Sequence, residues 1–260
     1  MDEQSVKQFL SDLGLGEIRY FDRIGSTNDA ALAWAAEGAP DLALVIADEQ
    51  TAGRGRAGRK WYTPTGAALA FSLILLPLPD EGEAIPMFTA LGALAVTQML
   101  REKHGLRAEI KWPNDVLLNR RKVCGILAEA VWLGSEVESV VLGIGVNVYT
   151  AAVPPPELLV FPTTSLQTEA GQIFERLSLL RDILAVLLAW RSRIGTDEFL
   201  KAWEENLAFR GEQIEVWAEG SAPRFGQVEG LDSDGGLRLR SPQGEVFSVH
   251  FGEVHLRPVV

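Results

Sequence analysis

Basic residues and glycines are concentrated in one short string of this 260-residue chain, GRGRAGRKW at 53–61, which holds Arg54, Arg56, Arg59 and Lys60. Guanidinium groups present planar forks of donors that match phosphate or carboxylate oxygens, and glycines between them let a backbone close over a bound anion. Gly53, Gly55 and Gly58 satisfy the spacing G-x-G-x-x-G, but a dinucleotide site also needs those glycines to open a helix. Here Trp61, Tyr62, Pro64 and Gly66 follow, and Pro64 and Gly66 oppose a helix. A P-loop fails too, because no Lys-Ser or Lys-Thr follows the last glycine. What remains is a flexible anion-binding loop, or else a solvated basic loop.

A second string, KWPND at 111–115, puts Lys111 at the end of a strand-like run, before a turn fixed by Pro113. Lys111 is there either a point charge for a phosphate group or an ordinary surface lysine. Trp61 is either core or an aromatic able to stack on a purine. Cys124 lies inside an apolar run without a histidine nearby in sequence and reads as a buried structural thiol. His104 falls near a helix end, and His250 and His255 fall near the C-terminus, so none stands out as a general base.

The elements that must bring these strings together follow from hydrophobic patterning. Ser26 with Asp29 three residues later resembles a capping signal, and Gly38 and Pro40 would close that helix. Apolar runs at 42–48 and 67–76 read as buried strands flanking the arginine loop. A helix is expected over 84–103 with Gly105 as its stop. Strands are expected over 109–112, 116–118, 123–132 and 137–149, with turns at 113–115, 119–121 and 134–135. Pro154, Pro155 and Pro156 mark a loop, followed by helices over 173–194 and 197–207. From Gly211 the pattern changes to short runs at 213–218, 225–231, 237–240 and 246–250, which predicts a small β-barrel. The expected class is α+β: a mixed, mostly antiparallel sheet packed with helices over 1–210, and the barrel over 211–260.

A hydrophobic fraction of 47% suits a globular protein with a sizeable core. The apolar stretch at 86–100 is too short to span a bilayer and that at 177–190 carries Arg181 and Asp182, so no membrane segment is expected. Asp2 and Glu3 at the start do not fit a secretory signal, and the single cysteine excludes an internal disulfide, which together point to the cytoplasm. A net charge of −11 disfavours nonspecific nucleic-acid binding.

Ser26-Thr27-Asn28, Gln50 with GRGRAGRKW, KWPND, KVCGIL at 122–127 and GIGVN at 143–147 occur in that order. In this the chain resembles the biotin protein ligase family over about residues 20–258, including a C-terminal SH3-like barrel. The resemblance implies a class II synthetase-like catalytic domain. It also implies that biotin and ATP form biotinyl-5′-AMP, and that biotin then passes to a lysine of a biotin carboxyl carrier protein, as in acetyl-CoA carboxylase or another biotin-dependent carboxylase. Ser26, Thr27, Asn28 and Gln50 would meet the ureido ring. Arg54, Gly55 and Arg56 would cover the biotin carboxylate and phosphoryl group, and Lys111 would hold phosphate and acyl oxygens. Gly125 would form the floor, and Arg56, Arg59, Trp61, Lys111 and Asn147 would serve the adenylate. Arg54, Arg56 and Lys111 would then be the catalytic cations, with Mg²⁺ among the phosphates on ligands left unassigned.

Ala57 departs from relatives that carry a basic residue there. Residues 1–20 leave no room for the DNA-binding module some relatives have, so DNA is not an expected partner. A homodimer is compatible with the resemblance. A lipoate ligase, or a sensor that binds without transfer, are the competing readings.

Overall fold

The structure is a computed structural model describing residues 2–78, 81–159, 161–218, 222–250 and 254–258. The side chain of His255 lies outside the described set. The apolar runs become the centre of one sheet, with strands β1 (Ile18–Ile24), β2 (Ala43–Gln50), β3 (Ala68–Leu75), β4 (Ala108–Lys111), β5 (Asp115–Leu118), β6 (Arg121–Leu133) and β7 (Glu136–Asn147). Their order is β1-β2-β3-β7-β6-β5-β4. Only β1 and β2 pair in parallel; the other pairs in this sheet are antiparallel. After β3 the chain crosses to the far edge at β4 and returns strand by strand, so that β7 closes against β3. β3 is buried along its whole length and β7 over most of it, which is why both read as near-continuous apolar runs.

The helices are α1 (Glu3–Phe9), α2 (Thr27–Ala36), α3 (Phe88–His104), α4 (Leu166–Ala170), α5 (Arg176–Arg191) and α6 (Asp197–Glu205). Ser26 caps α2 as its position suggests, accepting the N–H of Asp29. α3 ends at Gly105 in a left-handed conformation (φ 65°), with Arg101, Lys103 and His104 in its last turn facing the negative end of the helix dipole.

The helical passage Ala84–His104 has 21 residues, with a most apolar stretch of mean hydropathy 1.2. Length and composition alone would therefore let it cross a membrane, contrary to the sequence reading. The stretch is 72% buried inside the protein, so packing against the sheet and α5 accounts for its apolarity. α5 starts at Arg176, later than expected, because Glu175 turns back to accept the N–H groups of Leu177 (3.0 Å) and Ser178 (2.5 Å).

The C-terminal runs form β8 (Gln213–Ala218), β9 (Arg224–Leu231), β10 (Leu237–Arg240), β11 (Val246–Val249) and β12 (Val254–Pro258). They make a five-stranded antiparallel sheet in the order β11-β10-β9-β8-β12. The segment between α6 and β8 is tied to the first sheet through its backbone, and the turn between β9 and β10 is tied to it through a side chain. Ile110 N–H donates to Asn206 O (2.7 Å), Ala208 N–H donates to Ile110 O (2.9 Å), and the Trp112 indole N–H donates to Gly235 O (3.1 Å). Ile214, Val216, Val228, Leu231, Leu237 and Leu239 join the same apolar cluster as α3 and the large sheet.

Candidate active site

The first end of the site is built where β2 stops and α2 starts. Gln50, the last residue of β2, accepts the backbone N–H of Thr27 (2.8 Å) and its hydroxyl (3.1 Å), and donates to Thr63 Oγ1 (3.0 Å). Ser72 of β3 lies 2.9 Å from Thr27 Oγ1 and 2.6 Å from Asn28 Oδ1. Because Asn28 Oδ1 only accepts, Ser72 donates to it. Asn28 Nδ2 in turn donates to Leu127 O (3.3 Å) and Glu129 Oε2 (2.9 Å). Its amide is thus spent on the protein, and Asn28 is an internal strut at the ureido end expected from the sequence. Gly143 on β7 lies directly against it, and a Cβ there would overlap the Asn28 amide.

The arginine string is a folded-back hairpin, not a loose loop. Trp61 N–H donates to Gly53 O (2.8 Å), Gly55 N–H donates to Arg59 O (2.7 Å), and Arg54 bridges Lys60. Ala57 (φ 52°) and Gly58 (φ 67°) make its left-handed tip. The two arginines assigned to the anion diverge. Arg54 Nη1 and Nη2 donate to the two oxygens of Glu129 (2.9 and 2.7 Å), and its Nε lies 2.7 Å from Asp29 Oδ1. The Glu129 hydrogen bonds raise its pKa further. The guanidinium of Arg54 is therefore committed to two carboxylates. Arg56 instead donates to Asn114 Oδ1 (3.2 Å), the turn residue of KWPND, which is itself held by Nδ2 donation to Ile126 O (3.0 Å).

The second end is a cluster of buried charge. Asp115 sits between two lysines, with Lys122 Nζ at 2.5 Å and Lys111 Nζ at 3.5 Å. Burial opposes the Asp115 carboxylate, but the two ammonium groups outweigh it and hold its pKa below the ordinary carboxylate value. Burial also lowers the Lys111 pKa, which Asp115 partly offsets and Lys122 reinforces. The Lys111 ammonium lies 4.9 Å from the centre of the Phe161 ring, and Lys122 lies 5.5 Å from that of Trp61.

Trp61 lies flat across Gly125 and Gly145; a Cβ on Gly125 would come within 3.0 Å of the indole, and one on Gly145 would overlap it. Segment 162–164 is stitched beside this cluster, since Lys122 N–H donates to Pro162 O (2.7 Å) and Thr164 N–H donates to Lys122 O (2.8 Å). Asn147 donates its amide to Thr164 O (3.1 Å) and so secures that segment.

Between the two ends runs a cavity of about 520 Å³. Ser26, Thr27, Asn28, Gln50, Arg54, Gly55, Arg56, Arg59, Trp61, Lys111, Gly125 and Asn147, all expected from the sequence, line it. Asp115, Lys122, Phe161 and Trp217 also line it. Lys122 and Asp115 stood inside recognised strings without a role, and only the pairing of β5 with β6 brings them together. Trp217 reaches in from the second sheet, which no local pattern signalled. Cys124 is fully buried in the core, and burial pushes its thiol pKa up. His104 packs edge-on against Phe174 (5.1 Å) and His250 lies 3.0 Å from Asp234; neither lines the cavity.

Residues 20–147 match the family model of the biotin/lipoate A/B protein ligase family. The chain is 35% identical over 252 residues to the bifunctional ligase/repressor BirA of Bacillus subtilis, covering 94% of this chain and 76% of that protein. It is 40% identical over 234 residues to a biotin--[acetyl-CoA-carboxylase] ligase of Paracoccus denitrificans, covering 85% of this chain and 93% of that one. Among solved structures it is similar to the biotin protein ligase from Aquifex aeolicus in complex with biotin and ATP, with a TM-score of 0.79, 28% identity and coverage of 94% and 99%. It is also similar to the biotin protein ligase from Leishmania major in complex with biotinyl-5-AMP, with a TM-score of 0.61, 25% identity and coverage of 90% and 99%.

Proposed function

The chain belongs to the biotin/lipoate A/B protein ligase family, and we propose that its cavity joins biotin to ATP as biotinyl-5′-AMP and then hands the biotinyl group to a lysine of a biotin carboxyl carrier domain. The enzyme is a biotin protein ligase. The observation that carries the site assignment is the pairing of a hydrogen-bonding end at Thr27 and Gln50 with a cationic end at Lys111, Lys122, Arg56 and Arg59 along one cavity.

In the first step a biotin carboxylate oxygen bonds to the α-phosphorus as the bond to the β-phosphate oxygen breaks and pyrophosphate leaves. Both reactants are anions, so preorganised positive charge lowers the barrier. Lys111, Lys122 and Arg56, which line the cavity, would supply it, while Arg54, bound to Glu129, would shape the loop. In the second step the carrier amine attacks the acyl carbon, AMP departs with the bonding oxygen, and the amine loses a proton. The hairpin at 53–61 and the segment around Phe161 would exclude water from the anhydride meanwhile.

Mg²⁺ would travel on the triphosphate and neutralise its oxygens. Among the described residues no group of three or more acidic, histidine or cysteine side chains forms a metal cage, which suits an ion held mainly by phosphate. A cytoplasmic setting fits a ligase that draws on ATP and carries a buried free thiol. The net charge of −11 supports a reading in which DNA is not a partner.

The test is ATP–pyrophosphate exchange with biotin, lipoate or no acid, followed by transfer to a carrier domain. Exchange with biotin alone is expected; exchange with lipoate alone, or with neither, overturns the assignment.

A further inference from the structure

We propose that Glu129 is a positioning residue for biotin, acting through Arg54 and Asn28 from behind the cavity wall; this rests on the ligase reading. Glu129 lies on β6 opposite Val141 and does not itself line the cavity. Its carboxylate gathers side chains from two separate elements. Arg54 of the hairpin gives it two N–H bonds (2.9 and 2.7 Å), and Asn28 of α2 gives a third (2.9 Å).

A guanidinium held on both terminal nitrogens by one carboxylate, with its Nε beside Asp29, has a fixed plane. What Arg54 offers the cavity is then its main chain, set between Gly53 and Gly55. Asn28 is similarly saturated by Ser72, Leu127 and Glu129. Glu129 therefore fixes the hairpin base and the start of α2 against each other across the hydrogen-bonding end. It does so by cancelling one positive charge in a loop that attracts anions, a loss that fits Arg54 serving the loop's shape.

Glu129→Gln keeps the volume and removes the charge. Biotin should bind about tenfold more weakly, since charge-assisted hydrogen bonds at a partly exposed site are lost. The KM for ATP should stay within about twofold, because the Lys111–Asp115–Lys122 cluster is untouched. In an Arg54→Gln background, Glu129→Gln should add less loss than it causes alone, because the Arg54 contact is already broken and only the Asn28 bond remains to be weakened.

Biotin affinity by calorimetry and the two KM values by pyrophosphate exchange read this directly. Unchanged biotin affinity in Glu129→Gln, equal loss of biotin and ATP affinity, or additive effects in the double variant would overturn the proposal. Glu129→Asp, which retains the charge, should recover part of the biotin affinity and keeps the test open if the Gln variant folds poorly. Absence of biotin-dependent exchange in the unaltered protein would instead count against the ligase reading, so the two failures are distinguishable.

Discussion

Removing the Lys111 ammonium should slow adenylate formation more than it disturbs the fold, and the geometry says why. The side chain is 12% exposed, 3.5 Å from Asp115 and 4.9 Å from the Phe161 ring, so its charge is preorganised in a largely dry place. In Lys111→Ala the buried Asp115 still has Lys122 at 2.5 Å. The stability loss should therefore fall well below the ~3–5 kcal/mol that stranding a buried charge costs. The rate effect is larger because the ammonium faces oxygens that gain charge as phosphorus is attacked. Loss of one such donor costs about 100- to 1,000-fold, or ~2.7–4 kcal/mol of barrier.

Biotin affinity should change little, since Thr27 and Gln50 sit at the opposite end of the cavity. Lys111→Arg should not restore the rate fully, because a planar fork does not reproduce a compact ammonium between a carboxylate and a ring. Single-turnover formation of biotinyl-5′-AMP at saturating ATP decides it. A rate in Lys111→Ala within about threefold of the unaltered enzyme, ~0.7 kcal/mol, would refute the reasoning.

Arg56→Ala should let the adenylate leak, because its bond to Asn114 closes the hairpin over the cavity; the dissociation rate of biotinyl-5′-AMP measures this, and an unchanged rate counts against it. Trp112→Phe keeps an aromatic ring but deprives Gly235 O of its donor, and should cost ~1–3 kcal/mol of stability by chemical denaturation. Adenylation should decline as pH rises through a value below the ordinary lysine range. Burial lowers the Lys111 pKa, and the rate follows the protonated form; the residual rate of Lys111→Arg should lack that alkaline limb in a pH profile. Gel shifts at physiological ionic strength should show no sequence-selective DNA binding by this chain, as the charge of −11 opposes it.

Local chemistry was legible in the sequence wherever it is settled by neighbours along the chain. Ser26 as a cap, Gly105 as a stop, β3 as a buried strand and the cationic character of the 53–61 string all depend on residues a few positions apart, whereas the sequence reads that string as a flexible loop and only the structure folds it into a hairpin. β1 was missed because IRYFDRI is an edge strand with several polar side chains toward solvent and no apolar run.

Which charges face the cavity was decided only by the tertiary structure. Arg54 finds Glu129, 75 positions away, and any of the chain's 35 acidic residues was an equal candidate on sequence alone. Lys122 reaches Asp115 because β5 and β6 pair antiparallel with a register shift between Val116 and Leu117, and a strand set one residue out would turn its side chains to the other face. Asn28 and Asn147, expected at the ligand from their strings, line the cavity and also brace the protein: Asn28 donates to Leu127 O and Glu129, and Asn147 donates to Thr164 O. Sequence specified the donors and charges; the sheet's register and the crossing after β3 specified which of them remain for a ligand.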